Sequence, residues 1–171
     1  MKGISKQFYV GTLVVTLLAA SVLLIVCAAF LARGDRTSAF AALGLGALAF
    51  LCHVVSAMVL LYKMWGAIQE GQVRTSPGKA VGLLFVPLYN LYWVFQVVWG
   101  WAKDYNRFVA QRQIAAPRIS ERLALSACVL LVIPGANLVG VALLLVLLAK
   151  ACDGINALVA VSYTHLTLPT I

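Results

Sequence analysis

Carboxylates are scarce in this 171-residue chain. There are five in all, Asp35, Glu70, Asp104, Glu121 and Asp153, and each lies outside the long apolar runs. Glycosidase-type and metal-dependent hydrolysis need carboxylates or ligands that converge on one pocket, and these spacings provide no such set. Histidine is scarcer, at two. His53 stands beside Cys52 in an apolar run with no HExxH or HxxxH partner, which points to a packed, neutral ring and leaves a proton-relay or ligand role as the other reading. The four cysteines, Cys27, Cys52, Cys128 and Cys152, form no CxxC pair and lie within or at the end of apolar runs, where they serve as small packing residues. Neither GxxxxGK[ST] nor GxGxxG occurs. The expectation is a protein that is not an enzyme and holds no metal or cofactor.

Apolar residues are what the chain has in excess, at 63% of the sequence against 11% charged. An ordinary soluble domain has roughly 45–50% and about 25%. A soluble chain of this length leaves so much apolar surface in water that lipid is its natural solvent. The net charge of +8 comes from 13 Lys and Arg concentrated between the runs. Such residues suit the anionic headgroups beside a membrane helix. No basic stripe carries a nucleic-acid reading motif, so nucleic acid is excluded as a partner.

Four apolar runs follow one another, at residues 8–32, 39–62, 80–102 and 123–149, and about 20 residues suffice to cross a bilayer core. Lys2 and Lys6 mimic the start of a signal peptide. The first run is too long for one, however, and Val26 before Cys27 is not the small residue a lipoprotein site requires, so an uncleaved first helix is expected. The polar break Gly34-Asp35-Arg36-Thr37-Ser38 makes the first two helices antiparallel neighbours. In the second, Gly44, Gly46, Ala47 and Ala49 permit close backbone approach. Gly71 suits a helix stop, and Ser76-Pro77 suits the cap and first position of the next helix.

The third run is dense in Trp and Tyr and carries Pro87 and Asn90 near its middle. It reads either as a long tilted helix or as a segment that dips into the membrane and returns. Residues 103–122 read as a surface helix and linker, with Lys103, Arg107, Arg112, Arg118 and Arg122 as candidate headgroup contacts. The fourth run carries Pro134-Gly135 and Asn137. A shift of 47 residues superposes the third and fourth runs, pairing Pro87 with Pro134, Asn90 with Asn137 and Lys103 with Lys150. Proline frees backbone acceptors that must be satisfied inside lipid. An Asn three positions on can bond a neighbouring helix, so Pro87, Asn90, Pro134 and Asn137 form the candidate polar and kink site. Paired Pro-broken helices also line substrate sites in transporters built from inverted repeats. The repeated exits, Asp104 with Asn106 and Asp153 with Asn156, read as helix caps.

The segments SPGKAVG at 76–82, PLYNLYW at 87–93 and WGWAKDYN at 99–106 carry the pattern PGxAxGxxxxPxxNLYW and a short acidic-aromatic exit. In these the chain resembles uncharacterised bacterial multi-pass membrane proteins. The likeness covers residues 60–106, implies a membrane fold and brings no assigned activity. Residues 161–171, VSYTHLTLPTI, resemble translated sequencing-adapter sequence, so the native chain is expected to end near Ala160, with Tyr163, His165 and Pro169 carrying no function.

The sequence therefore predicts an all-α integral membrane bundle of about four transmembrane helices, at about 8–32, 39–70, 77–110 and 123–150, forming one domain over 1–160. Four full crossings put 6 Lys and Arg on the N-terminal side and 7 opposite, whereas a re-entrant third run puts 10 against 3, the asymmetry of a bacterial inner-membrane protein. The expected role is membrane-embedded interaction, scaffolding or sensing. Its partners are the lipid bilayer and a protein partner or second copy. A small transporter or channel subunit is the alternative, and an intramembrane enzyme is disfavoured.

Overall fold

The computed structural model describes residues 3–70 and 72–167, with side chains as far as Val161, and every regular element among them is a helix. In order these are α1 (Lys6–Ala32), α2 (Arg36–Gly66), α3 (Pro77–Gly82), a 3-10 turn (Leu83–Phe85), α4 (Tyr89–Val94), a π-helical turn (Phe95–Trp99), α5 (Gly100–Gln111), α6 (Glu121–Val132) and α7 (Asn137–Thr167). Among the described residues three stretches are long and apolar enough to cross a membrane: α1, α2 and the part of α7 from Asn137 to Val161. The chain divides into two compact units, one of residues 7–59 and one of 1–6 with 60–171.

The first unit is the α1–α2 hairpin. The Gly34 amide donates to Leu31 O at 3.0 Å and the Asp35 amide to Phe30 O at 3.1 Å. This pair of bonds closes α1 with Gly34 at φ 77°, a conformation that glycine adopts without penalty. Asp35 then accepts from the Ser38 amide at 3.1 Å, capping α2. The bonds from the Ser38 hydroxyl and amide hold the Asp35 carboxyl below the usual carboxylate range. Along the seam, Cys27 packs with Ala39 and Ala42 beside Val26 and Phe30. A Cβ on Gly46 would lie 3.3 Å from Leu23 Cβ, so Gly46 permits the close approach, whereas Gly44 faces open space. Phe8, Val15, Leu18, Ile25, Phe40 and Leu48 are all more than half exposed, as lipid-facing side chains are.

In the second unit the third apolar run, for which one helix over 77–110 and a segment that turns back were both open, is not a continuous helix. Ser76 caps α3 by accepting from the Lys79 amide at 3.4 Å, as its sequence suggests. Val86, ahead of Pro87, is forced to extended backbone (ψ 114°), which ends the helix. The chain then reverses. Trp93 Nε1 donates to Ala80 O at 3.1 Å across the two legs, and Arg74 lies beside Gly100, so the run is a helical hairpin with its tip at Pro87-Leu88.

The fourth run, expected as one helix over 123–150, breaks in the same way. Ile133, ahead of Pro134, is extended (ψ 118°), and the Ala136 amide donates to Ile133 O at 3.1 Å. Together with Gly135 at φ 85°, this makes a type II turn. α7 doubles back along α6 so closely that a Cβ on Gly140 would sit 2.5 Å from Leu131 N. Among the described residues the helices of spanning length therefore number three, and a fourth is not found. α7 reaches that length by continuing past residue 150, and its backbone is helical to Thr167, beyond the expected native end. α2 ends at Gly66 rather than near residue 70. Gly71 and Pro169, and the side chains of Tyr163 and His165, lie outside the described residues.

Candidate functional site

The bases of the two helical hairpins are held by polar contacts in the second unit. Arg74 stretches across Gly100, where a Cβ would lie 3.2 Å from its guanidinium. It grips Asp104 through its own amide (3.1 Å), Nε (3.0 Å) and Nη2 (2.9 Å). The Asp104 side chain is 1% exposed, so this two-pronged pair is desolvated on the carboxylate side. The bond to Asp104 raises the Arg74 pKa, keeping the guanidinium charged. Asp104 therefore closes the base of the first hairpin by holding residue 74 to residue 104.

The end of α2 is seated on the same base. A helix leaves its last four carbonyls unpaired, and in an apolar setting they need donors. Trp101 Nε1 donates to Met64 O at 2.9 Å and Gln69 Nε2 to Trp65 O at 3.0 Å. The π turn likewise interrupts the ordinary helical pattern. Trp65 Nε1 donates to Val97 O at 3.2 Å, and the Cys128 thiol donates to Val94 O at 3.7 Å. Trp65, Trp101 and Tyr105 are fully buried, and the Trp101 and Tyr105 rings stack at 5.1 Å. Burial pushes the Tyr105 phenol up to about 12. Its hydroxyl donates to Pro117 O at 3.2 Å, directly over Gly154, where a Cβ would come within 2.5 Å of it.

Asn106 and Asn156 do not cap their own helices as expected; each clamps a strand of backbone that leads into another helix. Asn106 accepts from the Ile119 amide (2.9 Å) and donates to Ile119 O (2.8 Å). Asn156 accepts from the Ile4 amide (2.7 Å) and donates to Ile4 O (2.8 Å). Each clamped Ile is followed by Ser and then by the first helical residue, Glu121 or Lys6. The partner carboxylates follow suit, Asp104 pairing with Arg74 and Asp153 with Lys6 at 2.7 Å. The sequence signal that could have revealed this is the repeated Ile-Ser, which matches the repeated Asp and Asn exits.

Of the candidate residues, Pro87 and Pro134 reverse the chain rather than kink it. Asn90 and Asn137 open the returning legs, and among the described residues neither side-chain amide has a hydrogen-bond partner. The 47-residue echo extends to the backbone. Leu88 (φ 62°) and Gly135 (φ 85°) occupy the same position after proline, and both have positive φ. At Leu88 the Tyr89 amide donates to Pro87 O at 2.7 Å, a strained γ-turn for a residue with a side chain. Both tips are apolar, with Leu88 84% and Leu138 81% exposed.

The five basic residues of the third connection separate. Lys103, Arg107 and Arg118 line one open cleft of about 380 Å³ with Asn106, Ala110 and Glu121. Arg112 turns away to Glu70 at 3.2 Å and lies over Phe108, and Arg122 is exposed and does not line the cleft. In the first unit, His53 Nδ1 lies 3.0 Å from Leu13 O and 3.3 Å from Thr16 Oγ1. A carbonyl can only accept, so Nδ1 carries the proton. Cys27, Cys128 and Cys152 are buried and Cys52 is exposed; all four are free thiols.

Comparison with protein-family models, with curated proteins and with solved structures yields no match.

Proposed function

We propose that the protein is a membrane-embedded interaction and scaffolding element of a bacterial inner membrane. In this reading α1 and α2 cross the bilayer, while the α3–α4 and α6–α7 hairpins enter from the cytoplasmic face and turn back near mid-depth. Residues 77–85 and α6 are nine and twelve residues long by their bounds, or about 14 and 18 Å at 1.5 Å per residue, against a half-core of roughly 15 Å. Lys150 and Asp153 support the shallow placement of α7. A full crossing from Asn137 would set them about 20 and 24 Å along a core of roughly 30 Å, still within lipid, whereas Asp153 is half exposed and bonds Lys6 at the first residue of α1.

One observation carries the interaction reading: the tips are exposed, apolar and yet bear Asn90 and Asn137 amides without intramolecular partners. In lipid such amides bond a neighbouring helix, which suits a protein partner or a second copy of the chain. On a cysteine-free background in sealed membranes, Cys at Gln72 and Gln113 should react with an impermeant maleimide from one side. Cys at Leu88 and Leu138 should react from neither. Labelling of Gln72 and Gln113 from opposite sides refutes the hairpin placement.

A further inference from the structure

We propose that the cleft between α5 and the start of α6 binds a phosphate-bearing anion through Lys103, Arg107 and Arg118. It does not depend on how deep the hairpins lie. The Arg107 guanidinium is half exposed and lies 3.9 Å from Asp104 Oδ1, but both Asp104 oxygens already receive Arg74, so Arg107 keeps its donors for another acceptor. Among the described residues Arg118 has no ion-pair or hydrogen-bond partner. Lys103 Nζ sits 3.5 Å from the centre of the Trp99 ring, a contact that holds the ammonium and leaves the N–H groups turned from the ring to donate. Glu121 is the single carboxylate in the lining, and Asn106 Nδ2 bonds it at 3.2 Å, so the cleft carries a surplus of two positive charges.

The chemistry of the donors selects the ligand. Two arginines and a lysine lining one opening suit the several oxygens of a tetrahedral phosphate better than a single carboxylate. The opening has room for a phosphate ester, whose head is only a few times the roughly 30 Å³ of a water. The start of α6, a twelve-residue helix capped by Ser120, adds its N-terminal dipole to the same opening. The Asn106 clamp on Ile119 holds α5 and the α6 start together, so the two elements that carry the cations are joined before an anion arrives. The same chemistry serves a lipid headgroup and a soluble phosphate ester.

The full chain in nanodiscs separates these sources. In discs of phosphatidylcholine with about one-tenth phosphatidylglycerol, native mass spectrometry should find phosphatidylglycerol enriched on the protein. The R107Q/R118Q double variant should lose about tenfold or more of that enrichment, and R33Q/R36Q, matched in charge, should lose none. E121Q, which removes the one opposing charge, should raise retention, and it keeps the test decisive if the double variant fails to fold. No lipid enrichment, but saturable binding of inorganic phosphate in pure phosphatidylcholine discs that the double variant abolishes, assigns the cleft to a soluble phosphate ester. The site is refuted if neither probe depends on Arg107 and Arg118. It is equally refuted if R33Q/R36Q weakens retention as much as the double variant does.

Discussion

Leu88 is where a single residue matters most for the backbone. Its positive φ costs about 1–3 kcal/mol for a residue with a Cβ, while Gly135 meets the same demand at the second tip without that cost. Leu88→Gly should therefore stabilise the protein by about 1 kcal/mol, less the added freedom of the unfolded chain, and Gly135→Leu should destabilise it by about 1–3 kcal/mol. Unfolding in detergent micelles checks both. Tyr105 carries a pH signature. Its folded pKa of about 12 lies above the ordinary 10, so the neutral phenol contributes stability that is fully present below pH 10 and is lost as pH rises through about 12. Stability should fall by about 1–2 kcal/mol across that window, after allowance for partial solvation. Tyr105→Phe should flatten the fall and cost about 1 kcal/mol at neutral pH for the bond to Pro117. The position of Pro87 and Pro134 was legible in the sequence, because proline acts on its own neighbours. The roles of Asp104 and Asn106 were not, since their partners Arg74 and Ile119 lie far off along the chain.

Among the elements, the α6–α7 hairpin depends on the absence of a side chain at one point. Gly140 faces backbone atoms of Leu130 and Leu131, which cannot rotate away as a flexible side chain could. Gly140→Ala should splay the hairpin and cost about 2–3 kcal/mol, within the range for overpacking. Gly44→Ala, which meets open space, should be neutral or slightly stabilising because alanine favours the helix. Comparison of the two thermal midpoints tests the assignment, and equal shifts would contradict it. The glycines of α2 look alike in sequence, yet Gly46 faces α1 and Gly44 does not. That distinction depends on the rotation of one helix against its neighbour. The caps at Asp35, Ser76 and Ser120 follow local rules: each bonds an amide three residues ahead.

At the scale of the whole molecule, the proposed topology gathers eleven of the thirteen Lys and Arg on one side and leaves Arg33 and Arg36 on the other. Such a bias sets membrane orientation. Three arginines inserted between Gly34 and Asp35 should leave that turn outside, because the larger group still outweighs it. With four full crossings the same insertion would tip a near-even balance and draw the turn inside. Impermeant labelling of Thr37→Cys distinguishes the outcomes. By itself the sequence determined the solvent, through runs too apolar for water; the breaks, through proline and its effect on the preceding residue; and the helix starts, through caps that act within a turn. Tertiary structure alone decided that the two Pro-broken runs fold back on themselves. A proline permits either a kink or a reversal, and the choice rests on contacts between legs, Trp93 with Ala80 and Gly140 with Leu131. Those contacts exist only once the chain has turned.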